Sequence, residues 1–211
     1  MSSMKRSSNS PRLRKGASLP FRNLITIHGD CINLPDGYRT IHLQFRRFAG
    51  CPICKLHLHD IAQRHQELVK ANIVEVAVFH STAEVLREHG HALPFALVAD
   101  PDRILYREFG VEASLRSVLD PRAWKAIVQG LARFGAGRKA GESAMGLPAD
   151  FLISRGGNIL DLKYGEHADD HWSVDEILER SRALALDIHT SEATQTPEPV
   201  TTESARTLSR N

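Results

Sequence analysis

The fold predicted for this chain rests on residues 40–54, TIHLQFRRFAGCPIC. Residues 40–45 alternate apolar and polar side chains, which is the period-two pattern of a β-strand. Cys51 and Cys54 follow shortly after as a Cys-x-x-Cys pair. Pro52 suits the first turn of a helix, because its missing N–H leaves no helical hydrogen bond unmade. A strand that runs into a Cys-x-x-Cys at the start of a helix indicates thiol chemistry.

The helix predicted over residues 51–72 gives the two cysteines different surroundings. Cys51 lies at its first turn, where free N–H groups and the helix dipole favour an anion, so we expect a lowered pKa and a nucleophilic thiolate. Cys54 lies on the apolar stripe, so we expect it to be less accessible and to resolve the oxidised Cys51. Strand alternation allows only one of Arg46 and Arg47 to face Cys51. The stripe consists of Cys54, Leu58, Ile61, His65, Leu68 and Val69.

The remaining patterns predict strands that alternate with helices and a late antiparallel hairpin. The strands are predicted at 74–79 and 95–99, with hairpins over 23–34, turning at Gly29-Asp30, and over 151–164. The first of the later helices is predicted to begin at an N-cap at Ser81, with Glu84 completing a capping box, and to end at Gly90. Further helices are predicted over 102–110, over 113–134 with a break at Pro121, and over 174–186 with Ser173 as the N-cap. A glycine-rich loop covers 135–146. Such an order predicts an α/β fold with a mixed sheet covered on both faces.

Length and composition limit the class of protein. The chain has 211 residues, 42% hydrophobic and 25% charged, and no apolar run near the length of a membrane-spanning helix. Three cysteines do not make a disulfide-stapled scaffold. Residues 1–22 hold six basic side chains and no acid, so the net charge of +2 is a tail effect and does not indicate nucleic-acid binding. We expect a disordered basic leader over 1–20, with a targeting peptide as the alternative, a cytoplasmic body over 21–188 and a disordered tail over 189–211.

Three stretches carry a resemblance to a known family. They are FAGCPIC at 48–54, ADPD at 99–102 with YREFGV at 106–111, and GLPADFLI at 146–153 with GGNI at 156–159. Together they resemble the AhpC/TSA-like peroxiredoxins of the thioredoxin-fold superfamily, in particular members with a Cys-x-x-Cys active site. The resemblance implies a thioredoxin-like mixed sheet with an N-terminal β-hairpin and a peroxiredoxin-type insertion. It also implies that the cysteines lie at the carboxyl end of a parallel strand and that Pro148 is a cis-proline facing them.

The chain departs from that family at two positions. Typical peroxiredoxins have a proline seven residues before the peroxidatic cysteine and a Thr or Ser three residues before it, where this chain has Gln44 and Phe48. The Thr or Ser hydroxyl helps to orient peroxide. Its replacement leaves thiol–disulfide exchange as the alternative activity.

Two further sets of residues are candidates for the site. The loop over 165–171 follows a strand that we expect to end at the Cys51 edge, so His167 and Asp170 are predicted as substrate-loop residues. His80 ends another such strand. A zinc site of Cys51 and Cys54 with His57 or His59 is the competing interpretation, although two histidines two positions apart on a helix do not point at one ion. Cys31 is expected to be a reduced, partly buried hairpin residue.

The sequence therefore predicts a thiol-based redox enzyme. Cys51 attacks a peroxide or a disulfide, and Cys54 forms an intramolecular disulfide with it. Pro52, Pro148, Arg46 and Arg47 support the site. We expect no metal and no organic cofactor, a thioredoxin- or glutaredoxin-type dithiol protein as reductant, and neither nucleic acid nor membrane as partner. A homodimer is left open. The alternatives are a thiol–disulfide oxidoreductase without peroxidase activity and a non-catalytic zinc-binding module.

Overall fold

The computed structural model describes residues 11–90, 93–111, 124–134 and 146–193. Seven strands alternate with helices in the predicted order. The strands are β1 (Arg22–Ile25), β2 (Cys31–Leu34), β3 (Thr40–Arg46), β4 (Ile73–Phe79), β5 (Ala96–Ala99), β6 (Ala149–Ile153) and β7 (Ile159–Tyr164). The helices are α1 (Pro52–Lys70), α2 (Ala83–Gly90), α3 (Ile104–Glu108), α4 (Trp124–Phe134) and α5 (Val174–Ala193). Predicted features over 112–123 and 135–145 lie outside the described residues.

Five strands form one mixed sheet in the order β5-β4-β3-β6-β7. β3, β4 and β5 are parallel, whereas β6 runs antiparallel to both β3 and β7. β1 and β2 form a separate hairpin, which meets the β5 edge where Thr26 bridges Val98. This is the thioredoxin-like arrangement that was predicted. It brings the ends of β3, β4, β5 and β7 to one edge, where Cys51 follows β3.

The two faces of β3 are both buried, although only one is apolar. Ile41, Leu43 and Phe45 join the larger core with Phe109 and Phe151. On the opposite face α1 and α5 pack over β6 through an apolar cluster of their own. That cluster comprises Ile61, Leu68, Ile73, Leu152, Trp172, Val174, Ile177 and Leu178.

α4 lies directly on the first turn of α1. A Cβ added at Gly130 would come within 2.7 Å of the carbonyl carbon and oxygen of Pro52. That distance is shorter than any ordinary contact, so the two backbones approach this closely only because position 130 is glycine.

Several local predictions differ from the structure. Val69 is 50% exposed, because the buried stripe of α1 runs through Ile53 and His57 instead. Ser81 does not cap α2. Thr82 does, with its hydroxyl accepting the Val85 N–H, since the Ser81 hydroxyl accepts a hydrogen bond from the Ala49 N–H. Ser173 and Glu176 do form a capping box at α5.

The predicted leader boundary at residue 21 also differs from the structure. Leu19 is buried in the core, and Leu13 and Ala17 pack against it. Gly16 and Ala17 exchange backbone hydrogen bonds with Ile159 of β7. Residues 13–19 therefore pack on the body, because their apolar side chains cover the core beside β7. α5 extends to Ala193, past the predicted limit at 188.

Two more residues correct the sequence-based picture. Cys31 is exposed rather than partly buried, because it begins β2 on the outer side of the hairpin. Among the described residues the cis peptide bond is Leu34–Pro35, so the prediction of a cis bond before Pro148 is wrong. Pro148 leads straight into β6, and its carbonyl accepts the Gly165 N–H beside β7.

Candidate active site

Cys51 and Cys54 meet at the N-terminus of α1 as free thiols. Cys51 is the N-cap residue of the helix, and its sulfur accepts a hydrogen bond from the Cys54 N–H at 3.3 Å. The side chain of Cys51 is fully buried, whereas that of Cys54 is 5% exposed. Both cysteines are buried, so the expectation that Cys54 is the less accessible of the two stays a prediction.

Arg47 brings its guanidinium to this pair. Its Nη2 donates to the Cys51 sulfur at 3.0 Å, and the guanidinium also interacts with the Cys54 sulfur. Arg47 is itself buried, so its charge is poorly screened by water. Arg46 points to the opposite face of the sheet, which agrees with the expectation that alternation sends one arginine to Cys51.

The two thiols share one negative charge. Burial alone raises the pKa of Cys54, but the hydrogen bond from the Cys51 thiol and the charge of Arg47 lower it to about 6. Burial and the neighbouring Cys54 thiolate raise the pKa of Cys51 well above its ordinary value. Since the two sulfurs are close enough to share a proton, the assignment of the nucleophilic thiolate to Cys51 stays a prediction. Arg47 and the hydrogen bond between the two thiols thus favour a single negative charge on the pair.

The loop that carries Cys51 is held by the end of β4. The Ser81 hydroxyl accepts the Ala49 N–H at 2.9 Å, and the His80 N–H lies 3.4 Å from the Arg47 carbonyl. His80 and Ser81 are both buried. The local pattern around Ser81 predicts a helix cap, and nothing in it indicates that the hydroxyl accepts a hydrogen bond from the cysteine loop instead.

A buried polar network begins at Arg46. Its Nη2 donates to Asp150 at 2.6 Å and lies 2.8 Å from Nε2 of His57, and its Nε donates to Gln44. Beyond Gln44 the network continues through Glu75, which accepts hydrogen bonds from Gln44 and from His42. All six side chains are at least nine-tenths buried. The sequence indicated Arg46 but not this network, three members of which come from other elements: His57 of α1, Glu75 of β4 and Asp150 of β6.

The outer end of the network borders a cleft of about 490 Å³ between α1, α4 and the loop after β7. His57 stacks on His171 with ring centroids 3.6 Å apart, and both rings line this cleft. A smaller apolar pocket of about 200 Å³ flanks the other side of α1 and includes Ala49, Phe79 and Leu86. The cysteine helix therefore has concave surfaces on both sides.

The predicted substrate-loop residues make contacts within their own loop and with the end of β7. Asp170 forms an ion pair with Lys163 at 2.5 Å and accepts the Glu166 N–H. Nδ1 of His167 accepts the Asp169 N–H at 3.3 Å. It is Asp169 and His171 of this loop that line the cleft, so the roles of His167 and Asp170 stay predictions.

The segment that leads into β6, which includes Gly146 and Pro148, lies beside the cysteine site through a contact with Arg47. A Cβ at Gly146 would be 3.3 Å from Cγ of Arg47, so the chain that enters β6 passes directly over that arginine. Pro52 occupies the first turn of α1, as expected from its missing N–H.

The structure does not assemble the zinc site that competes with redox chemistry. His57 faces Arg46 and His171, and His59 contacts Gln63 and Arg133. Within the described ranges, no group of three or more His, Cys, Asp or Glu side chains is arranged to hold a metal ion. In the same part of the chain, no helix is both long and apolar enough to cross a membrane.

Comparison with known proteins agrees with this geometry. Residues 26–161 match the AhpC/TSA family. The chain belongs to that family. None of the curated proteins matches the sequence.

Solved structures share the fold. The peroxidoxin BcpB from Mycobacterium tuberculosis is 16% identical, with a TM-score of 0.60 over 82% of this chain and 98% of its own. Peroxiredoxin 6 of Arenicola marina is 15% identical, with a TM-score of 0.64 over 83% and 75%. A putative thiol:disulfide interchange protein DsbE from Chlorobium tepidum is 21% identical, with a TM-score of 0.52 over 82% and 99%. This AhpC/TSA member is an oxidoreductase of the peroxidase or thiol–disulfide type.

Proposed function

We propose that this AhpC/TSA protein reduces peroxides, with Cys51 as the attacking sulfur and Cys54 as the resolving one. The observation that carries the proposal is the site at the start of α1, where the Cys51 sulfur accepts hydrogen bonds from the Arg47 guanidinium and the Cys54 N–H and lies next to the Cys54 thiol. A thiolate and a thiol in contact need no metal and no organic cofactor to form a disulfide.

The shared proton determines the order of events. When the Cys51 sulfur attacks the terminal oxygen of a hydroperoxide, its proton passes to the Cys54 thiolate, which acts as the base. The O–O bond breaks, Cys51 becomes a sulfenic acid, and the departing alkoxide takes a proton from water. The Cys54 sulfur then attacks the Cys51 sulfur, and its proton leaves with the hydroxyl as water. The products are the disulfide, an alcohol, one water and one hydroxide ion, and this hydroxide, left by the water that protonated the alkoxide, carries the charge of the initial thiolate.

Regeneration needs two electrons from outside the chain. A dithiol protein of the thioredoxin or glutaredoxin type supplies them by thiol–disulfide exchange, in which its own thiols become a disulfide. A solved relative, the yeast mitochondrial 1-Cys peroxiredoxin, is described as resolved through glutathione/thioredoxin systems. Both sulfurs are enclosed here, which favours a small oxidant such as hydrogen peroxide over a bulky disulfide as the first substrate.

A second activity is favoured by Phe48. This side chain is 6% exposed and stands where typical peroxiredoxins have a Thr or Ser hydroxyl. Without that hydroxyl the site lacks one donor for orienting peroxide, whereas thiol–disulfide exchange needs none. A thiol–disulfide oxidoreductase without peroxidase activity is therefore the alternative.

Intact-mass analysis of the reduced protein tests both activities. Every protein carries Cys31→Ser, because Cys31 is an exposed free thiol that would react independently. With hydrogen peroxide we expect the parent to lose two hydrogen atoms quickly, Cys54→Ser to trap a sulfenic acid at Cys51, and Cys51→Ser to react at the background rate.

Each other result has a definite meaning. A sulfenic acid trapped at Cys54 in Cys51→Ser, and none at Cys51 in Cys54→Ser, would exchange the two roles. Inertness to peroxide together with reduction of a small disulfide would establish the exchange activity in place of the peroxidase.

A further inference from the structure

The peptide unit between Arg46 and Arg47 connects a tyrosine to the cysteine pair. Its carbonyl oxygen accepts a hydrogen bond from the Tyr106 hydroxyl. Its N–H, which belongs to Arg47, donates to the sulfur of Cys54. A phenol on one side of the amide and a sulfur on the other are therefore joined through a single peptide group.

Tyr106 is held firmly in this position. The carboxylate of Asp100 accepts the N–H groups of Ile104 and Tyr106 at the start of α3. The phenol ring packs edge-to-face on Phe45, with centroids 5.0 Å apart, and the side chain is 5% exposed. Its hydroxyl also lies 3.0 Å from the Val78 carbonyl, so the phenol sits across the ends of β3 and β4.

The phenol remains a donor whatever the state of the thiols. Burial raises the pKa of Tyr106 well above its ordinary value, and the negative charge at Cys54 raises it further. A neutral phenol whose two neighbours are carbonyl oxygens donates its only proton to them. A peptide group that accepts a hydrogen bond at oxygen becomes a stronger donor at nitrogen, because hydrogen bonds in a chain polarise one another.

We propose that Tyr106 is a positioning residue that stabilises the Cys54 thiolate through the Arg46–Arg47 peptide. The proposal rests on the proposed role of Cys51 and Cys54 as the redox-active pair. Tyr106 touches neither sulfur and neither substrate. By stabilising the thiolate it favours the reduced pair over the disulfide, so it makes the disulfide easier to reduce.

Tyr106→Phe tests the proposal, because it removes the hydroxyl and keeps the ring against Phe45. Tyr164→Phe is the matched control: Tyr164 also donates its hydroxyl to a backbone carbonyl, that of Phe109, but in a different part of the core. Both variants carry Cys31→Ser. The readouts are the pH dependence of thiolate ultraviolet absorbance, of the alkylation rate mapped to Cys54, and the disulfide content at equilibrium with glutathione.

We expect Tyr106→Phe to lower the thiolate fraction about threefold at pH values well below the midpoint, which corresponds to about half a pKa unit. The glutathione equilibrium should move about threefold toward the disulfide. Tyr164→Phe should leave both quantities unchanged even if it destabilises the fold as much. Equal titration curves for the parent and Tyr106→Phe would overturn the proposal, as would equal shifts in the two variants.

Should Tyr106→Phe fail to fold, site-specific replacement of Tyr106 by 3-fluorotyrosine gives a second measurement. Its more acidic hydroxyl is a stronger donor, so the thiolate fraction should rise rather than fall. No change, or a fall, contradicts the proposal. None of these assays contains peroxide, so they stand even if the peroxidase activity is absent.

Discussion

The two faces of β3 are equally buried and are stabilised by opposite means. Ile41, Leu43 and Phe45 point into an apolar core, and each is fully enclosed. His42, Gln44 and Arg46 alternate with them and are enclosed to the same degree, yet two of these three side chains are ionisable. One strand therefore carries a hydrophobic layer on one side and a charged layer on the other.

The two faces of β3 should therefore respond differently to substitutions. Each apolar side chain contributes largely by itself, through the surface that it removes from water. Each buried charge costs several kcal/mol of desolvation, which only its partners offset. Loss of one member of the charged layer therefore leaves another member uncompensated. The charged layer is also the one beneath α1, so the cysteine helix rests on it.

The largest effect is expected from Asp150→Ala. It leaves Arg46 without the carboxylate at 2.6 Å and should lower the free energy of unfolding by about 4 kcal/mol. Leu43→Ala, on the apolar face, should cost about 3 kcal/mol. Urea unfolding measures both. A double variant on each face distinguishes the two. Adding Arg46→Met to Asp150→Ala should recover stability, whereas adding Ile41→Ala to Leu43→Ala should lower the free energy of unfolding further. A further loss on both faces would contradict the distinction.

Next in size is an alkaline loss of stability that arises from His42. Burial would lower its pKa, but the charges of Glu75 and Asp150 raise it from 6.5 to about 9. A raised folded-state pKa means that protonated His42 stabilises the fold fully below about pH 6.5 and that this contribution is lost as the pH rises through about 9. The loss should reach about 3 kcal/mol. Unfolding of the parent and of His42→Gln, compared across that range, isolates the contribution because the cysteines titrate alike in both.

A similar pH slope in the parent and His42→Gln would show that His42 is not charged in the folded protein. In that case the charged layer contains one cation, Arg46, rather than two.

The smallest effect is expected from Asp161→Asn. Arg180 and Asp161 form an ion pair at 2.6 Å, but their side chains are 40% and 21% exposed. Water already solvates such a pair, so the substitution should change the free energy of unfolding by about 0.5 kcal/mol. Thermal or urea unfolding of Asp161→Asn and Asp150→Ala, measured side by side, compares the two losses of stability. A loss as large as that of Asp150→Ala would mean that burial does not decide the strength of these pairs.

The sequence predicted what local patterns determine. The alternation of residues 40–45, the turn at Gly29-Asp30 and the cap at Ser173 are properties of adjacent residues, and β3, the β1–β2 hairpin and α5 follow them. The order of strands and helices was enough to predict the sheet. The AhpC/TSA resemblance, carried by residues spread over most of the chain, supplied the place of the cysteines within it.

What the sequence missed depends on partners far away along the chain. Asp150 lies 104 positions after Arg46, and nothing near either residue indicates the pair. Ser81 has a capping pattern next to it, yet the Ala49 N–H takes its hydroxyl. The pKa of Cys54 is lowered first by the hydrogen bond from the Cys51 thiol and then by the charge and N–H of Arg47, and no sequence pattern places that N–H and guanidinium at the Cys54 sulfur.

The contact of Gly130 with Pro52 limits which amino acids α4 can carry at position 130. Glycine in a helix costs about 1 kcal/mol relative to alanine, and α4 accepts that cost where it contacts Pro52 of the cysteine turn. Any larger residue at 130 must push α4 away from the turn that bears Cys51. Trp124, Val128 and Leu131 lie on the outer side of the same helix and are exposed. A library of variants of this helix should therefore accept many residues at those three positions and glycine alone at the fourth.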